Sequence, residues 1–195
     1  EEGGGICKSN IRASGEYKEE LLHYLAETKK DEQKQYLVRR IGYKQPDDMV
    51  ISRIEDPRIY NTNVTLAIEN VSEFMAGSKM FLAPHIYKFW SFSMPATDKR
   101  VRDYYFETPF LKTDTTIYKL PEGFEVDVLP ASKSFDCFNA AYSAAYTYDA
   151  ASRSITGVTT LELKIHRIAP AEYQELKTFF DKVLKEEAQR LVIKK

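Results

Sequence analysis

The sequence predicts a mainly β, α+β fold: an antiparallel β-sandwich with an N-terminal helical arm and a packed C-terminal amphipathic helix. Three observations lead there. From Asp48 to Arg167 apolar residues recur with a period of two, the pattern of antiparallel strands with one buried and one wet face. From Ala171 to Ala188 they recur at helical spacing. The chain also carries 13 Tyr and 11 Phe in 195 residues, a composition that suits half-buried strand faces.

Ile6 to Ile11 reads as a first strand that ends at Ser14-Gly15. Tyr17 to Ile41 reads as one long helix, because it holds no Gly or Pro and places Tyr17, Leu21 and Leu25 at i, i+4 and i+8. Its middle, Glu27 to Gln35, is almost devoid of apolar residues before Leu37, Val38 and Ile41 resume the pattern. Six acidic and six basic residues between Glu16 and Arg40 suit a solvated helix, which Gly42 and Pro46 then end. Val64, Leu66 and Ile68 alternate with Thr65, Ala67 and Glu69 as a strand. Phe124, Val126 and Val128 do the same between Pro121-Glu122-Gly123 and Pro130, as do Leu161, Leu163 and Ile165. Tyr142, Ala144, Tyr146 and Tyr148 share another strand face, and Asp149-Ala150-Ala151-Ser152 is the turn of a hairpin. Tyr173, Leu176, Phe179, Phe180, Val183 and Leu184 form a wide helical stripe that must be buried. Pro170 lies near the start of that helix, where a missing N–H costs nothing. Leu191-Val192-Ile193 closes the chain as a short strand. The organisation expected is a strand and helical arm over residues 1–47, which could equally end a preceding domain, and a β-sandwich domain with its C-terminal helix over 48–195.

Composition removes several function classes. Lys and Arg number 28 against 29 Asp and Glu, for a net charge of −1, so nothing draws the chain toward nucleic acid or an anionic bilayer. No apolar run approaches the roughly 20 residues of a spanning helix, and no membrane insertion is expected. The opening Glu1-Glu2-Gly3-Gly4-Gly5 lacks the basic and apolar regions of a signal peptide, and without an initiator Met it reads as a processed or excised piece. Cys7 and Cys137 can be bridged or free; spacing does not decide. Neither stands beside a base and an orienting group as a cysteine nucleophile requires, although folding could bring His85 or His166 close. His23, His85 and His166 are solitary, without H-x-H, H-E-x-x-H or C-x-x-C spacing, so no metal site and no cofactor is expected. His85 simply follows Pro84 in a loop. No nucleophile elbow or phosphate-binding loop occurs, and no catalytic residue is assigned. The sequons Asn63-Val64-Thr65 and Asn70-Val71-Ser72 read as chance occurrences.

Two features remain as candidate contact surfaces. Tyr142, Tyr146 and Tyr148 could stack sugars or a peptide if their face points outward; the competing reading, favoured because Ala144 shares the face, places them in the core. Residues 80–95 form the most apolar stretch and lack clean alternation. Within it Phe89, Trp90 and Phe92 either meet a neighbouring domain or line the core.

Several runs carry a family resemblance: Asp103-Tyr104-Tyr105-Phe106-Glu107, Pro109-Phe110, Thr115 through Phe124, Leu129-Pro130, Ala169-Pro170-Ala171-Glu172-Tyr173, Phe179 through Val183, and Val192-Ile193-Lys194-Lys195. Together they resemble a bacterial domain of unknown function found after a transglutaminase-like domain in larger cell-envelope proteins. The resemblance covers residues 48–195 well and 1–47 loosely. It implies a periplasmic or secreted location and an accessory, non-catalytic role beside the transglutaminase-like domain of the same polypeptide. Any activity would reside in the Cys, His and Asp of that neighbour, and no catalytic position transfers to this chain. A carbohydrate- or peptide-binding module using the tyrosine face is the alternative.

Overall fold

The structure, a computed structural model, describes residues 4–97 and 99–195. Strands hold 41% of the residues and helices 20%, and the strands pair antiparallel throughout the described residues. The mainly β, α+β class is therefore the one observed.

Two compact units divide between Glu73 and Phe74, not at residues 47 and 48 as the sequence suggests. The reason is strand pairing. β1 (Gly5–Ala13), β2 (Asp48–Ile54) and β3 (Tyr60–Ile68) form one sheet in the order β1-β3-β2, so the first strand needs the two that come after the helices. Tyr60, Thr62, Val64 and Leu66 bury one face of the central strand. Leu21 and Leu25 of α1 (Glu16–Ala26) are buried in the same unit.

The long helix expected over Tyr17–Ile41 is instead three pieces: α1, α2 (Lys30–Tyr36) and a π-helical turn, Leu37–Ile41. The break falls where the apolar stripe lapses. Thr28 Oγ1 caps the Tyr24 carbonyl at 2.7 Å, Gln33 Nε2 donates to the Leu25 and Thr28 carbonyls at 3.2 and 3.1 Å, and Lys29 turns extended. Without apolar side chains to bury, residues 27–29 gain more from these polar caps than from continuing the helix. Gly42 ends the third piece in the left-handed region, φ 95°, with its N–H on the Leu37 carbonyl, a conformation that favours glycine.

The second unit holds β4 (Phe74–Ala76), β5 (Lys79–Leu82), β6 (Tyr104–Tyr105), β7 (Phe110–Lys119), β8 (Glu125–Val128) and β9 (Lys133–Cys137). It continues with β10 (Ala140–Asp149), β11 (Ser154–Leu163), β12 (Arg167–Ile168), α3 (Tyr173–Glu187) and β13 (Leu191–Lys194). One four-stranded sheet runs β7-β11-β10-β9, another β4-β5-β13-β8, and β12 pairs with β6. The β10–β11 hairpin turns where expected, with Asp149 accepting from the Ala151 N–H at 2.9 Å and the Ser152 hydroxyl at 2.6 Å. α3 starts at Tyr173, later than the pattern suggests, because Pro170 lies in a turn that the Glu172 N–H closes on the Ala169 carbonyl.

The core of this unit is α3 laid against the inner face of β10 and β11. Tyr173, Leu176, Phe179, Phe180 and Val183 meet Ala140, Tyr142, Ala144, Leu161 and Leu163, all nearly inaccessible. Phe180 stacks on Trp90 at 3.9 Å, and Phe179 meets Phe135 edge-on at 5.4 Å. Truncating a buried aromatic costs about 3–5 kcal/mol out of a typical total of about 5–15. Phe180→Ala and Phe179→Ala should each lower the urea midpoint of unfolding clearly; an unchanged midpoint would show α3 to be dispensable.

Candidate functional site

Residues 83–95 connect β5 to the rest of the second unit without regular structure. Side chains reach in to satisfy this strap's backbone. Tyr118 donates to the Ala83 carbonyl at 2.8 Å, His85 Nδ1 to the Tyr87 carbonyl at 2.7 Å, and Tyr173 to the Pro95 carbonyl at 2.7 Å. At the middle, Glu187 Oε2 accepts from the Phe89 N–H at 3.2 Å, while Lys112 Nζ lies 3.4 Å from the Phe89 carbonyl. β11 comes so close that a Cβ on Gly157 would sit 2.9 Å from the Pro84 carbonyl and 3.2 Å from the Tyr146 ring. Glycine at this mid-strand position is the residue that permits the approach.

Under the strap lies a cluster of titratable groups. His85 Nε2 faces Glu187 Oε1 at 3.6 Å, both side chains are 3% exposed, and neither atom has a hydrogen-bond partner. Burial pushes the Glu187 carboxyl up to about 8, with the Phe89 N–H, Lys88 and Lys112 partly offsetting it. Burial lowers His85 and raises Asp114, whose carboxylate accepts from the Thr116 hydroxyl at 2.7 Å. The Tyr142 hydroxyl is buried without a partner, and its pKa is raised, first by burial and then by Glu187. A histidine and two carboxylates can exchange protons, and of these His85 and Glu187 are enclosed while Asp114 is half-buried. The sequence pattern reads His85 as a loop residue and singles out nothing at Glu187. The spacing of Tyr173, Leu176, Phe180, Val183 and Glu187 is the available signal, since it puts Glu187 on the buried stripe.

The predicted contact residues distribute differently from expectation. Tyr142 is 1% exposed and Tyr146 half-buried, leaving Tyr148 at 38%. A shared stacking face is therefore corrected: the inward pleat of β10 points Tyr142 at Phe135, 5.1 Å away, under α3. Phe89 and Trp90 are likewise core residues, 2% and 6% exposed, and only Phe92, at 52%, is available to a neighbour. The interface expected at Phe89 and Trp90 is replaced by intramolecular packing on Phe180 and α3.

Cys7 and Cys137 are both partly buried, and neither is in a disulfide. Cys137 opens on a shallow cleft of about 240 Å³ lined also by Phe135, Asp136, Glu175, Thr178, Phe179 and Lys182, with no histidine. Burial raises its pKa, and Glu175 and Asp136 add to the rise, the opposite of an activated thiolate. Among the described residues no group of three or more His, Cys, Asp or Glu could hold a metal, and no helix is long and apolar enough to cross a membrane.

The second unit exposes apolar sheet. Phe74, Phe81, Val192 and Val128 are cross-strand partners in one row over β4, β5, β13 and β8. Phe74 and Val128 are 52% and 48% exposed, and the Phe74 and Phe81 rings stack at 4.3 Å. Charges occupy a neighbouring row two residues along the strands, where Lys79 and Lys194 are cross-strand partners: Lys79 pairs with Asp127 at 2.8 Å, and Lys194 with Glu125 and Asp127 at 3.7 and 3.9 Å. On the other four-stranded sheet, Leu111, Ile117 and Val158 are exposed at 62%, 56% and 43%.

Two measurements check this placement. Trp90, the single tryptophan, should emit at short wavelength and resist acrylamide; ready quenching would contradict its burial. In Cys7→Ser, Cys137 should alkylate more slowly than free cysteine at neutral pH, and Glu175→Gln should speed it; faster alkylation than free cysteine would contradict the raised pKa.

Known proteins add a family and one distant structural likeness. A family described as a domain of unknown function with a solved structure, DUF3858, matches residues 78–193. No curated protein matches. A crystal structure from Parabacteroides distasonis, named a "putative protease", superposes with a TM-score of 0.43 at 16% identity over 52% of this chain and 20% of that one. The matched region thus spans about a fifth of that protein's length.

Proposed function

The chain belongs to the DUF3858 family, and we propose that it acts as a non-catalytic interaction domain of a larger cell-envelope protein, packing against a transglutaminase-like domain of the same polypeptide. The observation that carries this reading is the exposure of Phe74 and Val128 at the two ends of the row Phe74, Phe81, Val192 and Val128, beside a row of ion pairs. Docking surfaces combine exposed apolar side chains with a polar rim. The interior supports the same reading, because His85 and Glu187 are enclosed and the cleft cysteine is held as a thiol. The neighbour's identity rests on the family resemblance of the sequence.

The test uses this chain and the transglutaminase-like domain prepared as separate proteins, with binding measured by calorimetry. Wild type should bind, and Phe74→Ser should weaken binding about tenfold, equivalent to roughly 1.4 kcal/mol, in protein whose circular-dichroism spectrum matches that of wild type. Absence of binding, or equal binding by Phe74→Ser, would overturn the assignment of this surface. Turnover of a glutamine-donor or peptide substrate by the pure chain, lost in Cys137→Ser, would overturn the non-catalytic role.

A further inference from the structure

We propose that His85 and Glu187 form a one-proton latch that holds the strap of residues 83–95 on the end of α3 and releases it when the shared proton is lost. His85 Nδ1 donates to the Tyr87 carbonyl, so the ring's remaining nitrogen, Nε2, carries either a lone pair or a second proton. Glu187 Oε2 accepts from the Phe89 N–H, which leaves Oε1 to face Nε2 at 3.6 Å. No other hydrogen-bond partner reaches either atom. One proton between them gives each a complement: a carboxylic acid opposite a lone pair, or an imidazolium opposite a carboxylate. With none, a carboxylate faces a lone pair in a dry site; with two, both would be donors.

The groups around the pair bias where that proton is held. Asp114 and Lys112 act on it from β7, Tyr142 and Tyr146 from β10, Lys88 from the strap and Arg190 from just beyond α3, while Glu186 acts on the two tyrosines. Burial dominates, raising Glu187 to about 8 and lowering His85. Linkage gives the signs. A carboxyl whose pKa is raised on folding stabilises the closed form at low pH and loses that contribution as pH rises through about 8. A histidine whose pKa is lowered contributes above its ordinary value of about 6.5 and loses its contribution in acid. Rising pH therefore weakens the latch progressively as the Glu187 proton is lost, and lowering pH through the histidine's range weakens it from the other side.

The backbone at the middle of the strap is tied by the same glutamate through the Phe89 N–H and by Lys112 at the Phe89 carbonyl. Trp90 is next in the chain and stacks on Phe180 at 3.9 Å, so the single tryptophan reports the strap. Acrylamide quenching and emission wavelength of the intact chain, recorded from about pH 6 to 9 and so below the range where tyrosine and lysine ordinarily titrate, should show a reversible rise in Trp90 exposure as pH increases. Glu187→Gln keeps an acceptor for Phe89 and a donor for Nε2 but cannot titrate; it should stay closed with a flat profile. Asp114→Asn should retain the transition with a displaced midpoint. A flat wild-type profile, or a transition that persists in Glu187→Gln and vanishes in Asp114→Asn, would overturn the latch. Should Glu187→Gln not fold, the Glu187 carboxyl resonance in ¹³C-labelled wild type decides: a titration moving together with the Trp90 signal supports the latch, and one in the ordinary glutamate range refutes it.

Discussion

The second unit depends on burial of one helical stripe against one sheet face. α3 presents aromatic side chains at the spacing that keeps them on a single side, and β10 and β11 answer with Tyr142, Ala144, Leu161 and Leu163. Small residues, Ala140 and Ala144, share this core with the large Phe179 and Phe180, as close packing of unlike sizes requires. Because β9, β10 and β11 come from consecutive sequence and α3 comes soon after, a nearly local stretch of chain completes most of this layer.

The strap is the counterpart of that layer. It brings Phe89, Trp90 and Met94 into the same core from a distant part of the sequence, yet its backbone has no strand or helix ladder to join. Buried amides and carbonyls must be paired somewhere, and here side chains of β7, α3 and the strap itself supply the partners. This explains the polar groups in an otherwise apolar interior. Glu187 and His85 lie where a backbone without secondary structure passes, and each gives that backbone a hydrogen-bond partner.

Legibility in the sequence tracks the physics of each element. The hairpin of β10 and β11, the α3 stripe and the last strand each rest on local periodicity and turn chemistry, and all three are visible in the residue pattern. The domain boundary is not, because pairing of β1 with β3 is a long-range event that no local signal encodes. The single helix over Tyr17–Ile41 fails for a different reason: absence of breakers says that a helix is permitted, whereas the lapse of apolar residues over Glu27–Gln35 leaves nothing to hold it together. The contact residues divide along the same line. Alternation puts Tyr142 and Tyr146 on one side of a strand, but only the position of α3 decides that this side is the inner one. Phe89 and Trp90 sit in a segment with no period at all, where sequence offers both surface and core.

For function the constraint runs from the inside outward. The inner face of the β7-β11-β10-β9 sheet is occupied by α3, the strap seals the titratable cluster, and the cysteine in the shallow cleft is surrounded by groups that keep its proton on. The two sheets also carry exposed Phe74, Val128, Leu111, Ile117 and Val158, side chains that a soluble surface gains nothing by displaying together. Two of them, Phe74 and Val128, lie in one cross-strand row whose inner members, Phe81 and Val192, are already partly or wholly covered. A partner laid along that row would need to cover only its two ends to dehydrate a continuous strip, and the ion pairs of Lys79 and Lys194 at its edge fix where that strip stops.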